Sequence, residues 1–214
     1  MKSQKQIKIL LIINIIGSIG LLIWWLLFPV LLPVADASQN FQDLILDNNW
    51  TAVNLVGLLS CLLLCTGLPG FFLAHYNDFK PYGFWGLLLA CTGLILFTAI
   101  QYYETLLWPA AAQVNPGLLH SDGALVAGNS AVVSGLLISG IALGSGYVLF
   151  GTAALKTNLY KKAALWLLMA GAVVFGNGIV FSVRTIGLLL FTGGTVWLSV
   201  NTIKTFQVRI ILVN

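Results

Sequence analysis

The sequence predicts an all-α, multi-pass membrane bundle of six transmembrane helices with both termini in the cytoplasm. Three observations carry that expectation. Of 214 residues, 59% are hydrophobic and 7% charged, whereas a soluble domain carries about 25% charge. So few charges cannot build a wettable surface, and apolar side chains must face lipid. The apolar residues also fall in continuous runs of about 20, the length a helix needs to cross hydrocarbon, without the period-two alternation of barrel strands. Helices satisfy their own backbone groups where no water can. Finally, the cations sort to one side of those runs.

Taken in order, the runs define one membrane domain with spans at about 9–32, 52–74, 83–103, 129–155, 163–182 and 187–206. Span 1 follows the basic segment Lys2, Lys5, Lys8 and ends in Trp24, Trp25, Pro29 and Pro33. Ala35-Asp36-Ala37 is the kind of small-residue site that follows a signal peptide, but such peptides have an apolar region of about 7–15 residues, and this run is longer. The expectation is a retained span. Residues 33–50 carry Asp36, Asp43 and Asp47 and no cation, and Phe41 to Leu46 suits a short interfacial helix. Asn49-Trp50-Thr51 has the glycosylation pattern, but it abuts span 2 and such tripeptides are common by chance. Spans 2 and 3 flank the turn from His75 to Pro81, and residues 105–128 form a long loop punctuated by Pro109, Pro116 and Gly123. A basic turn from Lys156 to Lys162 separates spans 4 and 5, and Arg184 sits in the short connection before span 6.

With six spans, one side collects Lys2, Lys5, Lys8, Lys80, Lys156, Lys161, Lys162, Lys204 and Arg209, and the other only Arg184. Nine cations against one is the positive-inside pattern and makes the larger set cytoplasmic. Cations that flank apolar runs are topology signals, not a phosphate-binding face, and no nucleic-acid partner is expected. The three cysteines, Cys61, Cys65 and Cys91, lie within apolar runs and do not suggest a disulfide framework.

The stretch from Gln101 to Pro109 holds the only glutamate, Glu104, beside Tyr102, Tyr103 and Trp108. Ionisable groups at membrane depth are rare and usually partnered. Glu104 and Arg184 both fall at external ends of spans, which allows snorkelling to headgroups, a structural ion pair, or a ligand site beneath a cap made from residues 101–124. The candidate ligand-binding set is Glu104, Arg184, Tyr103, Trp108 and His120. His75 and His120 fall on opposite sides and cannot share a metal, and His120-Ser121-Asp122, three successive residues, cannot form a relay triad. No metal site, cofactor or catalytic group is assigned. Asn14, Asn54 and Asn177 are intramembrane amides suited to bonding between helices.

Gly140 and Gly144 in span 4 form a GxxxG, which lets backbones approach within the chain, at a homodimer or against another membrane protein. Gly144-Ser145-Gly146 lacks the strand and the Lys-Ser/Thr of a nucleotide loop. Cys65-Thr66-Gly67-Leu68 recurs as Cys91-Thr92-Gly93-Leu94, compatible with duplicated hairpins from spans 2–3 and 4–5, or with chance in a chain this rich in Gly and Leu.

These features leave three function classes for a multi-pass protein of the cell membrane. The first is a non-catalytic accessory, assembly or sensing protein, which needs no catalytic constellation. The second is a small transporter or channel, which needs a polar track through the bilayer. The third is an intramembrane enzyme of haem, quinone or lipid chemistry with an outward-facing site. The topology is directly testable. Reporter fusions after Lys80 and Lys156 should read cytoplasmic, and those after Asp43 and His120 external; an external reading at Lys156 would exclude the six-span arrangement.

Overall fold

The computed structural model describes residues 2–32, 41–79, 81–119, 125, 129–177 and 181–213, and every regular element among them is helical. The long elements are α1 (Lys2–Leu31), α3 (Trp50–Gly67), α5 (Pro81–Tyr102), α7 (Ser130–Thr157), α8 (Lys162–Asn177) and α9 (Phe181–Val213). Short helices α2 (Phe41–Ile45), α4 (Pro69–Ala74) and α6 (Trp108–Val114) fill the connections. Five segments are long and apolar enough to cross a membrane: Gln4–Leu31, Trp50–Ala74, Pro81–Val114, Ser130–Thr157 and Ser182–Thr205. A shorter apolar helix, α8, has 16 residues and rises about 24 Å, and it packs against α7 and α9.

Local chemistry sets the helix limits. Pro69 has no N–H to continue α3, so α4 starts afresh with proline in its first turn. Asn129 caps α7, its Oδ1 accepting from the Ala131 N–H at 2.9 Å. Asn158 ends α7 in the left-handed region, at φ 55°, a conformation asparagine tolerates better than most residues.

The six long helices pack in chain order as a closed ring: α1 on α3, α3 on α5, α5 on α7, α7 on α8, α8 on α9, and α9 back on α1. The closest neighbours are α5–α7, α8–α9 and α1–α3. The two copies of the Cys-Thr-Gly-Leu echo each sit in one of these close pairs, and not in a shared α3–α5 hairpin. Gly67 faces the Asn14 backbone of α1, while Gly93 faces the Leu143 backbone of α7.

Glycine makes these pairs tight. Between α5 and α7, a Cβ on Gly86, Gly93 or Gly146 would run into the backbone of Phe150, Leu143 or Ala90. Between α8 and α9, a Cβ on Gly171, Gly187 or Gly194 would meet the backbone of Phe191, Phe175 or Leu168. Gly140 abuts the Gly176 carbonyl, and Gly144 lies 3.3 Å from the Val173 Cα by the same measure, so this GxxxG faces α8 of its own chain. Aromatic side chains fill the inside of the ring: Phe97 meets Phe175 at 5.3 Å and Tyr147 meets Phe191 at 5.2 Å, linking α5 to α8 and α7 to α9.

Several expected boundaries need correction. Span 3 does not give way to a loop at residue 103. The chain continues through a π-helical turn, Tyr103–Leu107, into α6, so most of the expected loop is helix. A ring at Pro109 would collide with the carbonyl four residues earlier in a regular α-helix; the wider turn relieves this, with the Trp108 N–H bonded back to the Tyr103 carbonyl. Span 5 ends at Asn177 rather than 182. Arg184 is not in a connection but in the first turn of α9, which also runs past 206 to Val213. A short helix forms where one was expected, as α2.

The alternating path gathers the turns into two ends. At the basic end, Lys156 lies 5.1 Å over the Tyr82 ring, and His75, Lys161 and Lys204 line one cavity. At the other end lie the π-helical turn, α2, α6 and the start of α9.

Backbone contact at Gly146 yields a direct test. Gly146→Ala should lower stability by about 1–3 kcal/mol, the usual cost of overpacking. Gly193→Ala, with open space around the new methyl, should be neutral or gain up to about 1 kcal/mol. Thermal unfolding of the two variants in detergent checks the contrast.

Candidate functional site

The residues with unusual chemistry meet at the end opposite the lysines, in a belt of four tryptophans. Trp24 and Trp25 come from α1, Trp50 from the start of α3 and Trp108 from α6, and all four are buried. The rings form a continuous series. Trp24 lies 5.5 Å from Trp25, Phe28 bridges to Trp50 at 5.8 Å, and Trp50 stacks on Trp108 at 6.1 Å with 23° between planes. Tyr103 meets Trp108 edge-on.

Three indole N–H groups, those of Trp24, Trp25 and Trp50, tie the belt to its neighbours. The Trp24 N–H donates to Asn54 Oδ1 at 3.3 Å, and the Asn54 amide donates to the Trp50 carbonyl at 3.0 Å. The Trp50 N–H donates to the Glu104 carbonyl at 3.0 Å, and the Trp25 N–H to Thr185 Oγ1 at 2.8 Å. The wide turn that accommodates Pro109 therefore positions Glu104 by its backbone as well as its side chain. Gln101, one turn before, donates its amide to Glu104 Oε2 at 3.0 Å. Gln101 is 2% exposed, and its own oxygen has no hydrogen-bond partner. Gly57 makes room for it, since a Cβ there would sit 2.8 Å from both that oxygen and the Trp24 ring.

Arg184 occupies an aromatic cage. Its guanidinium carbon lies 5.3 Å from Trp25, 5.3 Å from Phe175 and 5.8 Å from Phe97, and its Nε–H donates to the Phe175 carbonyl at 3.4 Å. The rings belong to α1, α8 and α5, so one side chain on α9 ties four helices together. Ring faces replace part of the lost hydration, each contact contributing about 0.5–2 kcal/mol. Glu104 and Arg184 attract one another electrostatically, but among the described residues they form no ion pair within 4 Å. Arg184 is held by rings and Glu104 by Gln101, so neither side chain is spent on a direct pair.

Beside Glu104 a groove of about 310 Å³ runs between the end of α5 and the first turns of α7. Tyr103, Glu104 and Trp108 form one part of its wall, and Ala131, Gly135 and Leu136 the other. Most side chains from Ala131 to Ile138 are exposed, and nothing lies within 4 Å of where a Gly135 Cβ would be. The groove is thus apolar, open at the side, and carries a single carboxyl. It brings together Tyr103, Glu104 and Trp108 of the expected set; Arg184 lies deeper, in its cage, and His120 lies outside the described residues, as does Asp122.

Sequence reasoning did not single out Trp50, Asn54, Gln101, Phe97 or Phe175 as site residues. Two signals were present: a glutamine one turn before the only glutamate, and an asparagine one turn after Trp50. Of the other intramembrane amides, Asn177 donates to the Val173 carbonyl at 3.0 Å within its own helix. Asn14 is 1% exposed and neither amide atom has a hydrogen-bond partner. The three cysteines are free. Among the described residues, no group of three or more metal-ligating side chains could hold a metal ion. Comparison with protein-family models, curated proteins and solved structures finds no match for this chain.

The cage predicts that charge alone does not suffice at position 184. Arg184→Lys keeps the charge but loses the planar face that stacks on rings. It should lower stability in detergent by about 1–2 kcal/mol, and unfolding midpoints of wild type and variant would reveal it.

Proposed function

We propose that the chain is a six-span protein of the cell membrane with both termini cytoplasmic, acting as a non-catalytic accessory or sensing protein. Its working surface is the external groove between α5 and α7, which receives an amphipathic molecule sideways from the outer leaflet. The nine-to-one distribution of cations supports the orientation. The close packing of the apolar α8 on α9 and α7 supports six crossings.

The observation that carries the functional reading is the lateral groove with one carboxyl. Ligand sites are mostly apolar with a few placed polar groups that fix orientation. Here Trp108 and Tyr103 present amphipathic faces at the interface depth such rings prefer, and Glu104 supplies one anchored acceptor held by Gln101. An acyl chain fits the wall of α7, and an ammonium or hydroxyl headgroup would bond to the carboxyl. Binding would alter the exposed start of α7, which packs through Gly140 and Gly144 on α8. A ligand at one end therefore has a path to the rest of the ring.

The test is photolabelling in nanodiscs with a photoactivatable phosphatidylethanolamine. Labels should concentrate on residues 96–108 and 131–136. Gly135→Phe fills the groove from a position with open space around it, and should remove most of that labelling while leaving the unfolding midpoint near wild type. Even labelling over all lipid-facing helices, or labelling indifferent to Gly135→Phe, would reject the groove as a binding site.

A further inference from the structure

The basic end carries a second cavity, of about 520 Å³, where the α7–α8 turn meets the last part of α9. Lys161 and Lys162 line it from the turn and the start of α8, Lys204 from α9, and His75, Tyr160 and Asn201 complete the wall. Among the described residues, no carboxylate lines it. The neighbouring Asp78 is already engaged, its Oδ2 3.6 Å from His75 Nδ1.

Tyr160 is anchored in the wall by two contacts. The Tyr160 hydroxyl donates to the Phe71 carbonyl at 2.7 Å, and its ring packs edge-on against His75 at 5.0 Å. Burial, with a smaller contribution from Asp78, pushes the Tyr160 phenol well above its usual range, so it stays neutral and adds no negative charge. The left-handed turn at Asn158 leads into Lys161 and Lys162, which line the same cavity as Lys204.

Three further features point to an anion. Three like charges brought together from two elements repel one another unless a counter-charge sits between them. Asn201 lines the cavity, and its Nδ2 is a donor with no hydrogen-bond partner among the described residues. The 16-residue α8 begins at Lys162, so its first free N–H groups and the positive end of its dipole lie at the same place.

We propose that this cavity binds a phosphate group, either the headgroup of an anionic lipid in the adjacent leaflet or a soluble phosphate. Basic pockets between helices at the cytoplasmic face are suited to anionic headgroups, and lysines act on phosphate as point charges with rotatable donors. The site is independent of the groove at the opposite end and does not rest on the function proposed for it.

The experiment uses the full chain in nanodiscs of phosphatidylcholine, alone or mixed with phosphatidylglycerol, and in detergent with or without inorganic phosphate. Unfolding midpoints and bound lipid by native mass spectrometry are the readouts. Phosphatidylglycerol should raise the midpoint and remain bound if the source is lipid; inorganic phosphate should do so in detergent if the source is soluble. The triple change Lys161→Gln, Lys162→Gln, Lys204→Gln should weaken binding at least about tenfold, a loss of about 1.4 kcal/mol. Asn201→Ala, which leaves every charge in place, should weaken it measurably. Lys5→Gln with Lys8→Gln, cations outside the cavity, should leave it unchanged. No response to either phosphate source would overturn the proposal. So would equal losses in the triple change and the Lys5/Lys8 control, joined to no loss in Asn201→Ala, since that pattern means surface charge only.

Discussion

The ring depends on backbone meeting backbone. In lipid there is little hydrophobic gain from bringing two helices together, because the tails are as apolar as the side chains. What remains is close packing, and that requires one helix to present no side chain at the point of contact. Gly86, Gly93 and Gly146 do this between α5 and α7, and Gly171, Gly187 and Gly194 between α8 and α9. The glycines of each pair come from both helices, so the contact extends along the interface. With three tight pairs fixed, the looser junctions α3–α5, α7–α8 and α9–α1 need only shape compatibility to close the ring.

Close packing leaves little room for polar groups, which explains their distribution. Many hydroxyls inside the helices bond to a carbonyl three or four residues earlier, as Ser60, Thr98 and Thr202 do. Longer-range bonds gather at the belt, where indole edges reach Asn54, Thr185 and the Glu104 carbonyl. Tryptophan suits this depth because one end of it is apolar and the other donates a hydrogen bond. Arg184 is stabilised there by ring faces from three helices, which makes the belt a structural clasp. The groove lies just outside that clasp, where α7 leaves its partners and its first turns stand alone. The polar cavity at the basic end differs in kind: its lysines sit at the α7–α8 turn and on the distal part of α9, and all three are exposed.

Composition and run length were enough to read the helical membrane class, because a chain with this little charge has no soluble solution. Most core helix positions followed from apolar runs bounded by Pro, Asn and Lys. The glycines of span 4 were legible as a packing surface, since small residues in a lipid-facing helix have few other uses. The boundaries near 103 and 184 depart from the sequence expectation for a common reason. Proline and a charged residue ordinarily mark a break, but Pro109 was absorbed by a widened turn and Arg184 by an aromatic cage. Sequence carries no local sign of either compensation.

By itself, then, the sequence determined the solvent, the helical class and the sorting of charge, all of which follow from local composition summed along the chain. It also marked Glu104, Tyr103 and Trp108 as neighbours, because they lie within two helical turns. Tertiary structure decided which helices pair, that Gly140 and Gly144 turn toward α8, and that Arg184 contacts Trp25, Phe97 and Phe175. It also brought Lys161, Lys162 and Lys204 around one cavity. Each of these joins residues far apart in the chain, and no spacing rule can express a contact whose partner is chosen only when the ring closes.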